Sequence, residues 1–232
     1  MTTVVLLRHG RTAANAGGIL AGWTPGIGLD EAGQAQVAAL AERIRALPLA
    51  AVVSSPLQRC QETAAAVLAG RDALTMQVDD RFGECRYGDW TGRTLKELAK
   101  EPMWKVVQQH PSAAVFPGAE GEGLADTQRR AVAAVRDWNA RLGADAVWLA
   151  CSHGDVIKAI LADALGLHLD QFQRIVVDPA SISVVTYTDT RPFVVRINDT
   201  GGAVDVLIPP KRRGRRTRSS DAVVGGGTGT PA

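Results

Sequence analysis

The chain has 232 residues, is 46% hydrophobic and 22% charged, and carries a formal net charge of +2. That is ample for one packed α/β domain, and no stretch approaches the 18 or more apolar residues of a membrane span. Lys211, Arg212, Arg213, Arg215, Arg216 and Arg218 crowd the C-terminal end and leave a slightly acidic body, whereas a nucleic-acid-binding domain would carry its basic charge on the folded part.

The first predicted element is a strand. Val4-Val5-Leu6-Leu7 is a short apolar run of the kind found in buried parallel strands, and it ends at Arg8-His9-Gly10-Arg11-Thr12. Met1-Thr2-Thr3 supplies no basic region ahead of a long apolar stretch, so no signal peptide is expected. Ligands of open α/β sheets bind beyond the carboxyl ends of the strands. At this strand end Gly10 is expected to let the backbone turn and a ligand come close. Arg8 offers a planar fork suited to phosphate oxygens. His9, kept neutral, is a candidate nucleophile. The tripeptide alone also fits an ordinary strand-ending turn.

A Gly-rich loop over 17–28 follows and holds Trp23. Asp30 is placed to cap a helix whose Val37, Leu40, Ala41, Ile44 and Leu47 recur at helical spacing, with Pro48 as the stop. Residues 50–53 predict a second strand ending at Ser54-Ser55-Pro56. Pro56 is read as the first helical position of a helix running to about Ala69, with Arg59 in its first turn. A short strand is expected near 74–78. The segment 81–90 holds Glu84, and 94–123 reads as irregular with helical pieces. Leu124, Ala131, Val135, Trp138 and Leu142 mark one face of a long amphipathic helix. Residues 146–151 predict a strand ending at Ser152-His153-Gly154, and a helix follows over about 155–165. Two late strands are expected at 181–188 and 193–198.

Alternating strands and helices predict a three-layer α/β fold with a mainly parallel central sheet and helices on both faces. Residues 1–208 are expected to form one catalytic domain, and 209–232 a basic, Gly-rich disordered tail. Parallel strand ends share one side of a sheet, so His9, Arg59 and His153 can converge. The three cysteines, Cys60, Cys85 and Cys151, are scattered and odd in number. They fit a reduced cytoplasmic protein better than a disulfide framework or a zinc site. No P-loop and no HExxH motif occurs, and no cysteine is followed six residues later by arginine. An enzyme without metal or cofactor is expected.

The chain resembles the histidine phosphatase superfamily, the branch holding the cofactor-dependent phosphoglycerate mutases, over residues 4–198. The resemblance rests on Leu7-Arg8-His9-Gly10 with Thr12 and Asn15, on Leu29-Asp30-Glu31-Ala32-Gly33-Gln34-Ala35-Gln36, and on the run from Ser54 through Arg59 to Ala64. Glu84 with Tyr87-Gly88-Asp89-Trp90-Thr91-Gly92, and Ser152-His153-Gly154, complete it. It implies a phosphoglycerate mutase-like fold and a set of roles. His9 would take the phosphoryl group as phosphohistidine. Arg8, Arg59 and His153 would bind its oxygens, and Asn15 would add a hydrogen bond. Glu84 would protonate the leaving alcohol and later activate water. Arg11, Thr12 and Trp23 are further candidates for contact with the substrate.

The chemistry is self-consistent. Neighbouring cations disfavour protonation of His9, and phosphate oxygens would raise the pKa of a nearby carboxyl such as Glu84. Plainer readings stand beside these. Arg59 could be a surface charge, and Glu84 could pair with Arg81 or Arg86. Asp155 competes as the acid but reads better as a helix N-terminal charge. His110 and His168 read as surface residues. Trp23, Trp90, Trp104 and Phe116 could line an apolar or sugar-stacking mouth, or belong to the core.

Three departures matter. Arg11 stands where many members carry an acidic or amide residue. Gly123 stands where members often have serine. Mutases of the family carry an adjacent arginine pair in the insertion after the glutamate, whereas residues 94–120 hold Lys96, Lys100 and Lys105 and no arginine. Hydrolysis of a small phosphorylated metabolite is therefore expected ahead of phosphoglycerate or other mutase activity. A reading from another class is a regulatory module whose basic tail contacts an anionic partner such as RNA, acidic protein or lipid. A solvated extension is the preferred reading of that tail.

Overall fold

The computed structural model describes residues 1–201. The basic segment, and with it the tail expected from 209 on, lies outside the described residues. In chain order the elements are β1 (Thr2–Arg8), α1 (Ala13–Ala16), α2 (Glu31–Arg43), β2 (Leu49–Ser54), α3 (Gln58–Leu68) and β3 (Met76–Val78). Then come α4 (Leu95–Leu98), α5 (Pro102–Gln109), α6 (Leu124–Leu142), β4 (Val147–Ser152), α7 (Gly154–Ala164), β5 (Ile182–Tyr187) and β6 (Pro192–Asp199). Short 3-10 turns punctuate the stretch between β3 and α6.

Six strands form one mixed sheet in the order β3-β2-β4-β1-β5-β6. The first four strands of the chain run parallel, and helical segments carry the chain across from each of them to the next. β5 and β6 are joined by a short turn and therefore pair antiparallel, with β5 antiparallel to β1 as well. The expected mainly parallel sheet with helices on both faces is found, closed on one edge by this hairpin.

The apolar run of β1 is explained by burial on both faces. Val4 and Leu6 pack into the layer that includes α6 and α7, while Val5 and Leu7 pack into the layer of α2 and α3. Each such side chain contributes about 1.5–3 kcal/mol when fully buried. Trp148 and Ala150 join the first layer, and Leu149 and Cys151 the second, from β4. The period-2 alternation thus feeds two cores at once.

Two local expectations are corrected. α3 begins at Gln58 with Leu57 as its cap, so Pro56 lies one residue ahead of the cap instead of at the first helical position. The Leu57 amide donates to Ser55 Oγ at 3.3 Å, a turn that delays the helix. Gly10 does not use the left-handed region. A Cβ there would sit 2.7 Å from Val37 Cγ1 and 2.9 Å from the Gly33 carbonyl, so the close approach it permits is that of α2.

Candidate active site

Strand register builds the centre of the site. Arg8 of β1 pairs with Ser152 of β4, and Ser54 of β2 pairs with Cys151. The residues that follow, His9, Ser55 and His153, must then emerge side by side. The His9 and His153 rings lie edge to face with centroids 5.2 Å apart. Both are buried, at 3% and 0% exposure.

His9 is held by its own backbone. Its Nδ1 lies 2.7 Å from the Gly10 carbonyl, which can only accept a hydrogen bond, so Nδ1 carries the proton and Nε2 keeps its lone pair. Arg59 Nε donates to that Nε2 at 3.3 Å. Burial, then the Arg59 and Arg8 charges, hold the imidazole pKa well below its ordinary value. The arrangement keeps the ring neutral, with the Nε2 lone pair facing Arg59.

Arg59 is 2% exposed and sits in the first turn of α3. Besides His9 it donates from Nη2 to His153 Nδ1 at 3.2 Å and to the Gly22 carbonyl at 2.9 Å. Gly22 has φ +50, and a Cβ there would meet Thr91 Oγ1 at 2.8 Å, so only glycine brings its carbonyl to Arg59 at low cost. Thr63 Oγ1 accepts from the Gly10 amide and donates to the Arg59 carbonyl, which ties the β1 loop to α3. Arg8 donates to the Val177 carbonyl at 2.6 Å, while its buried Nε has no partner within the protein. An unpaired guanidinium donor at the cavity wall is suited to an anion.

Glu84 is 9% exposed and its Oε2 lies 3.8 Å from His153 Nδ1. The Cys85 amide donates to Oε1 at 2.9 Å. Burial first, then the Asp155 carboxylate, raise its pKa to about 7, against the opposing pull of Arg59. Glu84 does not pair with Arg81 or Arg86. Arg81 engages Asp79, and Arg86 lies over the Trp23 ring and near Glu120.

The remaining candidates separate. Asn15 lines the cavity, but its Oδ1 accepts from the Thr12 amide and hydroxyl, closing a capping box at α1. Its amide nitrogen is left as the donor. Thr12 is fully buried in that box and also borders the cavity. Arg11 is not brought into the site: its side chain pairs with Asp30 at 2.9 Å, drawn there by the cap of α2. Trp23 does not line the cavity either; its Nε1 donates to the Glu84 carbonyl at 2.6 Å. Asp155 stands in the first turn of α7, as expected, and also borders the cavity. Trp90, Trp104 and Phe116 are both core and cavity wall. His110 and His168 are exposed beside Asp170.

Several neighbours were given no role by the sequence, Ser55 and Tyr87 although they stand within recognised motifs. Ser55 Oγ lies 2.7 Å from His153 Nε2. The Tyr87 hydroxyl donates to Asp155 at 2.8 Å. Arg130 of α6 donates to the carbonyls of Arg81, Gly83 and Glu84 while holding Glu122, and so clamps the loop that presents Glu84. On a charged helix face, Arg130 is indistinguishable by spacing from its solvated neighbours. The whole arrangement opens into a cavity of about 600 Å³.

The family model of the histidine phosphatase superfamily (branch 1) matches residues 4–200. The bifunctional protein Rv2228c of Mycobacterium tuberculosis is 37% identical over 204 residues, covering 86% of this chain and 54% of that protein. The chain thus spans about half the length of that curated relative. The probable phosphoglycerate mutase GpmB of Yersinia pestis is 32% identical over 192 residues, 82% of this chain and 87% of its own. The solved structure of mycobacterial glucosyl-3-phosphoglycerate phosphatase Rv2419c with VO3 superposes with a TM-score of 0.74 at 27% identity, covering 85% of this chain and 98% of that one. With a family match running from the first strand to the last, across the strand ends that carry His9 and His153, this chain belongs to the histidine phosphatase superfamily, branch 1.

Proposed function

We propose that the chain hydrolyses a small phosphomonoester through a phosphohistidine at His9 Nε2. The observation that carries this reading is the buried Arg59 guanidinium bridging the lone pairs of His9 Nε2 and His153 Nδ1. A phosphate entering the cavity offers Arg59 charged oxygens in place of neutral nitrogens. The guanidinium then binds the phosphoryl group and releases Nε2 to attack it. Each arginine–phosphate charge pair supplies about 4 kcal/mol at 4 Å and an effective dielectric of 20. The unpaired Arg8 Nε is the second donor.

In the first step the Nε2 lone pair bonds to phosphorus and the bond from phosphorus to the leaving alcohol oxygen breaks. Protonated Glu84 gives that oxygen its proton, which a pKa of about 7 allows near neutrality. In the second step the Glu84 carboxylate takes a proton from water, and the water oxygen bonds to phosphorus. The P–N bond breaks, and phosphate leaves. Positioning and charge carry the rest of the barrier.

The reaction is read as metal-independent, and no grouping of three or more His, Cys, Asp or Glu side chains that could hold a metal occurs among the described residues. Residues 1–208 are assigned as the catalytic unit and 209–232 as an accessory tail. The free buried thiols of Cys60, Cys85 and Cys151 fit a reducing, cytoplasmic setting. No described helix is long and apolar enough to cross a membrane.

The test is rapid-quench labelling with a phosphorylated substrate followed by peptide mapping. Acid-labile label is expected on the peptide holding His9, to vanish in His9→Ala and to persist in part in His153→Ala. Label on the peptide holding His153 would reverse the assignment.

A further inference from the structure

The cavity is far larger than a phosphate, and its two ends differ in chemistry. At the floor stand Arg8, His9, Arg59 and Glu84. The outer wall is built mainly from Ile19, Leu20, Leu95, Trp104, Val107 and Val176, with the amides of Gln108 and Gln173 among them. Three of these are large apolar side chains exposed to solvent: Ile19 at 37%, Leu95 at 43% and Val176 at 57%. They come from three separate chain segments and line the same cavity. An exposed apolar gathering at a ligand cavity marks a contact surface.

The rim is also held in place. The Leu20 amide donates to the Arg93 carbonyl, the Gly92 amide to the Leu20 carbonyl and the Leu95 amide to the Gly18 carbonyl. These bonds fix Ile19, Leu20 and Leu95 beside one another. Trp104 stacks on Trp90 with ring centroids 6.2 Å apart, which anchors the opposite wall.

Charge argues in the same direction. Beyond Arg8 and Arg59, the charged groups of the wall are Glu84, Asp155 and Lys158. Lys158 Nζ lies 3.6 Å from Asp155 and donates to Gln173 at 3.1 Å. The one cation of the wall besides Arg8 and Arg59 is therefore already matched by a carboxylate. A second phosphate or a carboxylate on the substrate would meet no uncompensated positive charge there.

Resting on the phosphatase reading for its floor, we propose that this site takes phosphomonoesters of uncharged, largely apolar alcohols, whose carbon skeleton lies along Ile19, Leu20, Leu95 and Trp104. The phosphate seats on the arginines, and the apolar group reaches the exposed rim at Val176.

The experiment uses two matched series. Binding of methyl-, butyl-, hexyl- and octylphosphonate, whose P–C bond cannot be hydrolysed, is measured by titration calorimetry. Turnover of the corresponding alkyl phosphates is followed by phosphate release, with 3-phosphoglycerate alongside. Affinity and kcat/KM should rise about fourfold per added methylene between butyl and hexyl. Hexyl phosphate should exceed 3-phosphoglycerate at least tenfold in kcat/KM. Leu95→Gln and Val176→Gln, both at exposed positions that tolerate polar side chains, should each lower the hexyl-to-methyl affinity ratio. Phosphonates that bind with the expected slope while no ester is turned over would remove the phosphatase reading and leave this one standing. Equal binding across the series, absence of phosphonate binding, a preference for 3-phosphoglycerate, or an unchanged ratio in two folded variants would overturn the proposal.

Discussion

The ends of β1 and β4 occupy matching places in the sheet and surround their histidines differently. Both strands finish in His-Gly, and both rings are buried beside Arg59. At the end of β1, one nitrogen of His9 is fixed by the Gly10 carbonyl and the other faces only a cation that a phosphate can attract away. At the end of β4, both nitrogens of His153 are occupied, Nε2 by Ser55 and Nδ1 by Arg59. His153 also caps α7 and is sealed from solvent. Both rings have a partner on each nitrogen, but His9 lines the cavity and its Nε2 partner is a cation that an entering phosphate can attract away, whereas His153 does not line the cavity and its Nε2 is held by a side chain. The difference lies in exposure to the cavity and in hydrogen-bond partners, not in residue type.

The largest expected effect breaks the comparison outright. His9→Ala should abolish turnover of every ester, activated or not, whereas His153→Ala should slow kcat by about 10²-fold, through loss of the side chain that holds Arg59 in place. Steady-state kinetics on both variants decides it, and equal losses would dissolve the distinction. Next in size is Glu84→Gln. It should slow release of an alkanol by about 10²–10⁴-fold and release of 4-nitrophenol far less, since the phenolate needs no proton. A uniform loss with both leaving groups would place Glu84 outside proton transfer.

The pH profile sharpens the same contrast. The donor must be protonated, so alkyl-ester turnover should be flat below about 7 and fall above it, with the inflection at the Glu84 value. His9 is held neutral well below its ordinary range, so no acid limb should appear near pH 6. Burial is the first cause of the raised Glu84 value and Asp155 the second. Asp155→Asn should therefore move the inflection to lower pH without removing it. An inflection that stays fixed would take Asp155 out of the account.

Smaller effects are expected from groups that act through others. Arg130→Met leaves three loop carbonyls without their shared donor. It should lower kcat for alkyl esters roughly tenfold, in the way small misplacements of a catalytic group do, and barely change nitrophenyl ester turnover. A loss of the same size with both would make Arg130 a general structural residue. Ser55→Ala should be the mildest, a few-fold, because it removes one neutral hydrogen bond that orients His153. Combined with His153→Ala it should add nothing further, and a fully additive double variant would separate Ser55 from His153.

Much of this site was legible in the chain before any coordinates. An apolar run that stops at Arg8-His9-Gly10, and another that stops at Ser152-His153-Gly154, place two histidines at strand ends, because parallel crossovers put those ends on one side. Asp30, a capping residue three positions before a glycine amide it accepts from, was readable for the same local reason. The antiparallel docking of β5 on β1 was not readable, since it depends on which edge of the sheet the hairpin joins and in which direction.

Tertiary structure decided the rest. Arg11 and Arg59 are the same residue type, each just beyond a strand end, yet one pairs with Asp30 near solvent and the other is sealed between two imidazoles. Trp23 was a candidate for the substrate and proves to hold the Glu84 carbonyl. Arg130 reaches that carbonyl from a helix 46 residues away in sequence. The sequence by itself determined which residues stand at strand ends and helix starts, because periodicity and capping are local. Which nitrogen is free, which arginine is buried and what the outer cavity wall is made of were decided only in three dimensions, because desolvation and hydrogen-bond partnership depend on neighbours that spacing along the chain does not encode.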